Sequence, residues 1–234
     1  RLNDLIFKAL SDALPGAVPA GTKAMQCHAG FGGIDPRTEE HYCYLETIAG
    51  GFGGRATLDG PDAIQCHGQN TENAPIEEFE YNYPVRISRY ELIPDSEGAG
   101  RQRGGLGLRR DYMFPDHEAS FTVLADRDRA GPHGLFGGRA GSRSTYTLTR
   151  AGETKELGSK CTVNLTYGDV VSYQTSGGGG YGPPEERDPE LVVEDVRQSK
   201  ISIERARHIY RVAVNTDQWT VDTGETTRLR SGSG

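Results

Sequence analysis

The stretch DSEGAGRQRGGLGLRR, residues 95–110, follows a strand-like run at 85–93 and leads into a second apolar run at 108–114. It contains five glycines and, between them, Arg101 and Arg103. Glycine permits positive φ angles and a close approach of other backbone atoms. The planar donors of arginine suit carboxylate and phosphate groups. Two interpretations stay open: the stretch binds an anion, or it forms a tightly folded structural turn, which is how glycine most often punctuates a chain.

The sequence on both sides of this stretch predicts a β-rich domain. Enrichment in Thr, Val and Tyr indicates strands, which we expect at 41–48, 85–93, 120–124, 144–148, 169–174 and 211–214. The 32 glycines predict many turns between them. The connection at 125–141 is long and rich in Gly and Arg, which is typical of a loop with a functional or partner-contacting role.

Helices are predicted near the two ends of the chain. Apolar residues recur at helical spacing over residues 3–14, which predicts an amphipathic helix that ends at Pro15. Asp188 followed by proline marks the start of a second helix, and Ser202 can cap a third. The predicted fold class is therefore α+β, with mainly antiparallel strands, one N-terminal helix and two short C-terminal helices.

Three regions are expected along the chain. Residues 1–24 form a helix and linker that continue from a missing N-terminal region, because the opening residues resemble the interior of a domain. Residues 25–222 form the β-rich domain. Residues 223–234 are polar and rich in Gly and Ser, which predicts a flexible tail.

Composition excludes several classes of protein. The 26 basic and 33 acidic residues give a net charge of −7, which argues against a nucleic-acid-binding protein. The sequence contains no run of about 18 apolar residues, so no membrane span is predicted. No signal segment is apparent, and we expect a cytoplasmic protein. Its four cysteines contain no Cys-x-x-Cys pair and are expected to be free buried thiols.

The common site motifs are weak here. The glycines at 177–180 could cradle a phosphate, but no P-loop lysine follows them, and the glycines at 98–100 lack the Rossmann spacing. A zinc site formed by Cys27, His28, Cys66 and His67 would have an unfavourable geometry, because adjacent residues of a strand point to opposite faces. The candidate general bases are Asp95, Glu77 and Glu80, each with a surface or ion-pairing role as the alternative.

Five stretches resemble, in order, the hydantoinase B / oxoprolinase family and cover most of residues 45–215. They are GGFGGRATLDGPD (50–62), NTENAPIEEFE (70–80), DSEGAGRQRGGLGLRRDY (95–112), DRDRAGPHGLFGGRAG (126–141) and the run from GDVVSYQTSGGGGYGPP onward (168–214). The resemblance implies the C-terminal part of a B-type subunit of a cytoplasmic, ATP-dependent enzyme that opens cyclic amides such as hydantoins, 5-oxoproline or lactams.

The resemblance also implies partners and cofactors. A hydantoinase A-like subunit would bind ATP and Mg, and the N-terminal portion of the same B-type subunit would hold a divalent metal, Zn or Mn. The B-type subunit would take up an intermediate that ATP has activated by phosphorylating a carbonyl-derived oxygen. Related assemblies carboxylate ketones such as acetone or acetophenone, so a carboxylase subunit is an alternative. No metal ligands are predicted within this chain.

Two roles for the central stretch follow. In the first, Arg101 and Arg103 and the glycine backbone hold a phosphorylated or carboxylate intermediate. The residues expected to bind substrate or anion are Arg55, Asn73, Ser96, Arg101, Arg103, Gly104, Gly105, Gly178 and Gly179. In the second, the chain is a non-catalytic structural and subunit-contact module, in which the glycines set geometry and the arginines pair with acidic residues.

Overall fold

The computed structural model describes residues 1–232. Within that range the elements alternate irregularly between short helices and antiparallel strands. The helices are α1 (Leu2–Leu10), α2 (Ile76–Asn82), α3 (Pro189–Arg197), α4 (Ile203–His208) and α5 (Thr223–Arg230), with a 3₁₀ turn at Pro184–Glu186. The strands are β1 (Cys27–Ile34), β2 (His41–Ile48), β3 (Arg86–Leu92), β4 (Leu108–Phe114), β5 (Ala119–Leu124), β6 (Thr145–Arg150), β7 (Glu153–Leu157), β8 (Lys160–Leu165), β9 (Asp169–Gln174), β10 (Val214–Asn215) and β11 (Thr220–Val221).

Two larger sheets carry the core. One has the strand order β2-β1-β5-β8 and the other β3-β4-β9-β6-β7, with antiparallel neighbours throughout. Phe31 of β1 and Phe121 of β5 meet Tyr112 and Phe114 of β4, with ring centroids 5.4–6.2 Å apart. Phe79 of α2 closes the same cluster at 5.8 Å from Phe31. Such aromatic contacts add to the free energy gained from area burial alone.

A second layer is rich in glycine and consists of packed extended backbone. We call it the glycine bundle, and it comprises the segments 20–23, 51–54, 98–107, 132–142 and 176–182. In its central segment three consecutive amides reach three different neighbours. Gly178 N donates to Gly105 O at 2.8 Å, Gly179 N to Gly21 O at 2.8 Å, and Gly180 N to Arg139 O at 2.9 Å. This three-way pattern fits an extended helix with three residues per turn rather than a β-strand, whose groups alternate between two sides.

Close packing explains why glycine occupies these positions. A Cβ atom added at Gly178 would lie 1.9 Å from the carbonyl oxygen of Phe52, and one at Gly104 would lie 2.0 Å from that of Gly178. Additions at Gly105 and Gly179 would meet other carbonyl oxygens at 1.8 and 1.9 Å. These are backbone atoms that cannot turn aside, so any side chain here would force segments apart.

A smaller core joins α3 and α4 to the bundle. It consists of Ala99, Val192, Val196, Ile201, Ala206, Tyr210 and Val212. Asp188 accepts a hydrogen bond from Glu190 N at 3.0 Å and Ser202 accepts one from Arg205 N at 3.1 Å. Both side chains therefore cap the helix starts that the sequence predicted.

The predicted α+β fold class with mainly antiparallel strands is confirmed. Two helices were not predicted, α2 and α5, and the short strand expected at 211–214 lies at Val214–Asn215. The region boundaries at 24 and 222 stay predictions. No helix among residues 1–232 has the length and apolarity needed to cross a membrane.

Helix α5 occupies most of the stretch 223–234, for which the sequence predicted a flexible tail, and the flexibility itself stays a prediction. Asp222 accepts a hydrogen bond from Glu225 N at 3.0 Å, an N-cap that the polar composition concealed. Thr226 is buried and accepts a hydrogen bond from Ala213 N, and Arg230 donates to Arg187 O at 2.6 Å. Residues 233–234 of that prediction lie outside the described residues.

The glycine bundle yields a test of stability. We expect Gly178→Ala to lower the free energy of unfolding by about 3 kcal/mol or more, because the new methyl group overlaps a backbone oxygen. Gly158→Ala is the control, since nothing lies within 4 Å of its added Cβ, and it should change the free energy by less than about 0.5 kcal/mol. Urea denaturation measures both. Equal stabilities for the two variants would contradict the packing described.

Candidate functional site

The start of the central stretch is fastened to the C-terminal helices. Asp95 has a positive φ of 60° and accepts a hydrogen bond from Ser202 N at 2.7 Å, immediately before α4. Ser96 donates to Ile93 O at 2.6 Å and accepts from Gly107 N at 2.9 Å, which closes the stretch on itself. The side chains of both predicted site residues bind backbone groups and hold the chain in place.

Arg103 lies in a buried ion-pair network. Its side chain is 4% exposed, and it donates to Asp195 at 3.1 Å and to Asp62 at 2.8 Å. Burial disfavours the charge, but these carboxylates raise the pKa of Arg103 above its ordinary value. Arg187 continues the network by pairing with Asp195 and Asp59 at 2.8 and 2.7 Å. The contacts of Arg103 thus favour the structural interpretation.

Arg101 differs from Arg103 in its surroundings. Its guanidinium is exposed and makes only long contacts, to Glu186 at 3.6 Å and to Ala56 O at 3.4 Å. Anion binding by the central stretch stays a prediction, and Arg101 is the arginine of the pair whose guanidinium faces solvent.

Four of the glycines predicted to bind an anion have backbone amides that already donate to protein carbonyls. They are Gly104 N to Gly98 O, Gly105 N to Phe52 O, Gly178 N to Gly105 O and Gly179 N to Gly21 O, at 2.8–2.9 Å. An amide that donates inside the bundle has no second hydrogen to offer. These contacts favour a role for the glycines in chain geometry, and anion binding by these residues stays a prediction.

The remaining predicted residues do not converge on one place. Glu80 of α2 accepts a hydrogen bond from Ile87 N at 2.8 Å, and Glu77 is exposed on the same helix. Asn73 donates a hydrogen bond to the buried Glu46 of β2 at 3.2 Å. Arg55 donates to Asp59 O at 3.1 Å, beside the Arg103 network. General-base roles for Glu77, Glu80 and Asp95 stay predictions.

A divalent metal does not fit the described residues. No group of three or more His, Cys, Asp or Glu side chains within residues 1–232 is placed to hold one. Cys27 and Cys66 are both buried near Lys23, and burial raises the pKa of the Cys27 thiol to about 11. A proton held that firmly disfavours the thiolate form that binds metals.

Sequence reasoning missed a buried polar cluster, which we call the Asp4 cluster: Asp4, Thr22, His67 and Arg127. The Asp4 side chain is 5% exposed and accepts hydrogen bonds from Thr22 Oγ1, His67 Nε2 and Arg127 Nη2 at 3.0, 3.0 and 2.5 Å. Burial opposes its ionisation, but His67, Arg127 and Thr22 together lower the pKa of Asp4. The signal for this cluster in the sequence was Asp4, an acidic residue among the apolar residues of the first helix.

Lys23 was also missed. It is buried and donates to Ile48 O at 2.5 Å and to Gln65 Oε1 at 2.8 Å, two uncharged acceptors. Burial lowers the pKa of Lys23. It follows Thr22 of the Asp4 cluster in the chain, but its hydrogen bonds go to Ile48 and Gln65.

A cleft opens on the outer side of the Asp4 cluster. It has a volume of about 570 Å³ and is lined by Arg1, residues 126–130 and residues 158–160. Asp126 pairs with Lys160 at 2.9 Å and with Arg1 at 3.0 Å, while Arg129 is exposed at the rim. Small-molecule sites commonly have this size. The cleft falls in the Gly/Arg-rich connection at 125–141 and is also lined by Asp126 and Asp128, so exposed Arg129 is the cationic group best placed to bind a carboxylate or phosphate.

Comparison with known proteins identifies the family of this chain. The profile of the family described as hydantoinase B/oxoprolinase matches residues 1–184. The chain belongs to the hydantoinase B/oxoprolinase family. The resemblance identified from the five sequence stretches is thereby confirmed.

Individual members of the hydantoinase B/oxoprolinase family support the assignment. The chain is 40% identical over 98% of its length to an uncharacterized protein of Methanocaldococcus jannaschii, covering 40% of that protein. It is 36% identical over 97% of its length to the B-type subunit of a putative D-/L-hydantoinase of Pseudomonas sp., covering 38% of it. The crystal structure of the ATP-dependent caprolactamase from Pseudomonas jessenii superposes with a TM-score of 0.80 at 27% identity, covering 96% of this chain and 40% of that one. The chain thus spans about two fifths of the length of these relatives.

The two arginines of the central stretch are expected to respond differently to replacement. Arg103→Ala should cost about 3 kcal/mol of unfolding free energy, because it removes the buried cation that Asp62 and Asp195 share and leaves them only their second partners, Lys200 and Arg187. Arg101→Ala is the control and should cost less than about 1 kcal/mol, as its ion pair is exposed. Urea denaturation of both variants makes the comparison. A stable Arg103→Ala protein would return that arginine to the anion-binding interpretation.

The Asp4 cluster predicts a pH-dependent contribution. In the folded protein the pKa of Asp4 is lowered, so its stabilisation is present above the unfolded value of about 4 and disappears as the pH falls through the folded value. Asp4→Asn should therefore lower the free energy of unfolding by about 3 kcal/mol at neutral pH, and by progressively less below about pH 4.

Exposed Asp12 provides the control, because Asp12→Asn removes a charge from the neighbouring turn without touching the cluster. Denaturant titrations at several pH values measure the difference. A deficit for Asp4→Asn that stays constant down to about pH 2 would contradict the ionised role assigned to Asp4.

Proposed function

We propose that the protein forms part of a B-type subunit of an ATP-dependent enzyme that hydrolyses cyclic amides. The observation that carries this proposal is similarity over almost the whole chain to the B-type component of a hydantoinase and to an ATP-dependent caprolactamase. Hydantoin and caprolactam share a ring amide, so the common reaction is opening of a C–N bond within a ring. The ring that this protein's assembly opens is of the hydantoin, 5-oxoproline or lactam type.

The assembly would include a hydantoinase A-like subunit that binds ATP and Mg. Amides are poor electrophiles, and transfer of the terminal phosphoryl group of ATP to the carbonyl oxygen makes the carbon easier to attack and releases ADP. Addition of water then breaks the ring C–N bond as the nitrogen takes up a proton, and a second water releases phosphate and the carboxylate. The phosphorylated species carries negative charge, and the ring-opened product carries a new carboxylate. Since the reaction consumes ATP, the cytoplasm is the compartment that we propose.

The role proposed for this chain is to bind the anionic group of the intermediate or product. The cleft beside the Asp4 cluster supports that role, because Arg129 and Lys160 border a volume suited to a small molecule. Arg127 lines the cleft, and its ion pair with Asp4 holds its side chain in place. Exposed Arg101 is a second candidate. The described residues fit no divalent metal, and no step of this proposal is routed through one.

The test is reconstitution with a hydantoinase A-like subunit. The B-type subunit containing this chain should copurify with that partner, and ATP cleavage should depend on hydantoin, 5-oxoproline or caprolactam. Ring-opened product should form in proportion to ADP. Chromatography of products with a coupled ADP assay measures both quantities.

Two outcomes would contradict the proposal. ATP cleavage that requires acetone or acetophenone together with bicarbonate would identify a carboxylase subunit. An assembled complex without substrate-dependent ATP cleavage on any of these compounds would favour the structural and subunit-contact role. Omitting the partner subunit serves as the control, since the proposal places ATP binding on that partner.

A further inference from the structure

Helix α1 has the reverse orientation of an ordinary surface helix. Its large aliphatic side chains face solvent: Leu2, Leu5 and Ile6 are 73%, 59% and 51% exposed. On the opposite side Asp4 and, just past the helix end, Ser11 are buried. Surface helices of globular proteins normally place the apolar stripe against the core and the polar residues in water. The apolar face of α1 therefore has no partner within residues 1–232.

The orientation is fixed by strong contacts on the polar side. Asp4 is held by Thr22, His67 and Arg127 in the Asp4 cluster. Phe7 packs edge-on against the ring of His67 at 5.3 Å between centroids. Turning the helix to bury its leucines would strip Arg127 and His67 of their carboxylate. The buried contacts consequently hold the apolar face outward.

The exposed face continues beyond the helix. Leu10 and Leu14 are also exposed, and they extend the helical spacing of Leu2, Leu5 and Ile6 into the following turn. We call these five residues the α1 apolar face. Five large aliphatic side chains in a row on one face differ from the singly scattered apolar residues of an ordinary surface.

The size of the face argues against a second copy of the chain as its occupant. A nine-residue helix is about 14 Å long and about 10 Å wide. Its footprint lies well below the roughly 800 Å² per partner of a stable interface between separate molecules. Association of two copies at this face would also cost entropy, which the small buried area could not offset.

A membrane surface is an equally poor match. Helices that lie on membranes carry several Lys or Arg residues beside the apolar face. Between residues 2 and 14 only Lys8 is basic, whereas Asp4 and Asp12 are acidic, and the chain has a net charge of −7. Anionic lipid headgroups would repel such a protein.

A small apolar face suffices when the occupant belongs to the same polypeptide, because linkage raises the effective concentration and removes most of the association cost. The relatives are about two and a half times as long as this chain, as its 40% and 38% coverage of them implies. We propose that the α1 apolar face is the docking surface for the rest of the B-type subunit. This inference rests on the proposed function to the extent that it assumes a B-type subunit.

The experiment compares the same substitutions in two proteins: the 234-residue chain and the complete B-type subunit. The variant is Leu5→Glu/Ile6→Glu, which places two charges on the α1 apolar face. The control is Leu191→Glu, a similarly exposed leucine on α3. Hydrogen exchange of the α1 amides and the urea midpoint are measured for each protein.

We expect the double variant to leave the 234-residue chain unchanged, because both side chains already face water. In the complete subunit it should lower the urea midpoint and reduce protection of the α1 amides at least about tenfold, whereas Leu191→Glu should do neither. Equal behaviour of the double variant in both proteins would overturn the proposal.

Two further outcomes would also overturn it by naming another occupant. Loss of a concentration-dependent dimer of the 234-residue chain would identify a second copy, and a loss of protection seen only with the hydantoinase A-like subunit present would identify that partner. Stability and exchange do not depend on turnover. Absence of amide hydrolysis would therefore contradict the proposed function and leave the docking result standing, and the reverse also holds.

Discussion

The lack of side chains around residues 176–182 is the constraint on which the rest of the structure depends. Backbone segments from five parts of the sequence approach one another so closely that their hydrogen bonds replace a hydrophobic core. Each glycine loses more conformational freedom on folding than another residue would. Hydrogen bonds and the aromatic core between the two larger sheets must offset that cost. The bundle therefore exists only because sheets on one side and helices on the other hold its segments in position.

Buried charges fasten the bundle at its edges. Arg103 and Arg187 share Asp195, and each also binds a carboxylate from residues 59–62. On another side the Asp4 cluster attaches α1 and the segment at 20–23. Ion pairs in such places contribute little net stability compared with apolar residues, but losing one partner is expensive. These ion pairs specify which segments meet, because glycine has no side chain that could fix the register of neighbouring segments.

Local signals in the sequence were sufficient for the fold class and for the starts of α3 and α4. Enrichment in Thr, Val and Tyr identified strands, and Asp188 and Ser202 identified two caps because capping depends on residues three or fewer apart. The function of the glycines was different. Their amides bind carbonyls far away in the sequence, as Gly179 does with Gly21, so no local pattern distinguishes a bundle from an anion cradle.

The same reasoning applies to the contacts of the predicted site residues. Arg103 looked like an anion-binding arginine because its carboxylate partners, Asp62 and Asp195, are distant in sequence. The Asp4 cluster combines residues from four separate regions and was invisible for that reason. Family resemblance supplied the reaction class, which neither periodicity nor composition could give. The polar tail concealed α5 because its cap, Asp222, lies among residues that composition alone assigns to a loop.

The position of the central segment along the chain also determines how the molecule can be made. Residues 176–182 emerge from the ribosome after all of their bundle neighbours, which lie between residues 20 and 142. Until then those neighbours have no common partner to bond, and pairs so distant in sequence form slowly. The central segment is consequently the last part of the glycine layer to join it, although earlier segments can already bond one another, as Gly105 N does with Phe52 O. Until it joins, the layer stays incomplete, and incompletely folded chains are prone to aggregate.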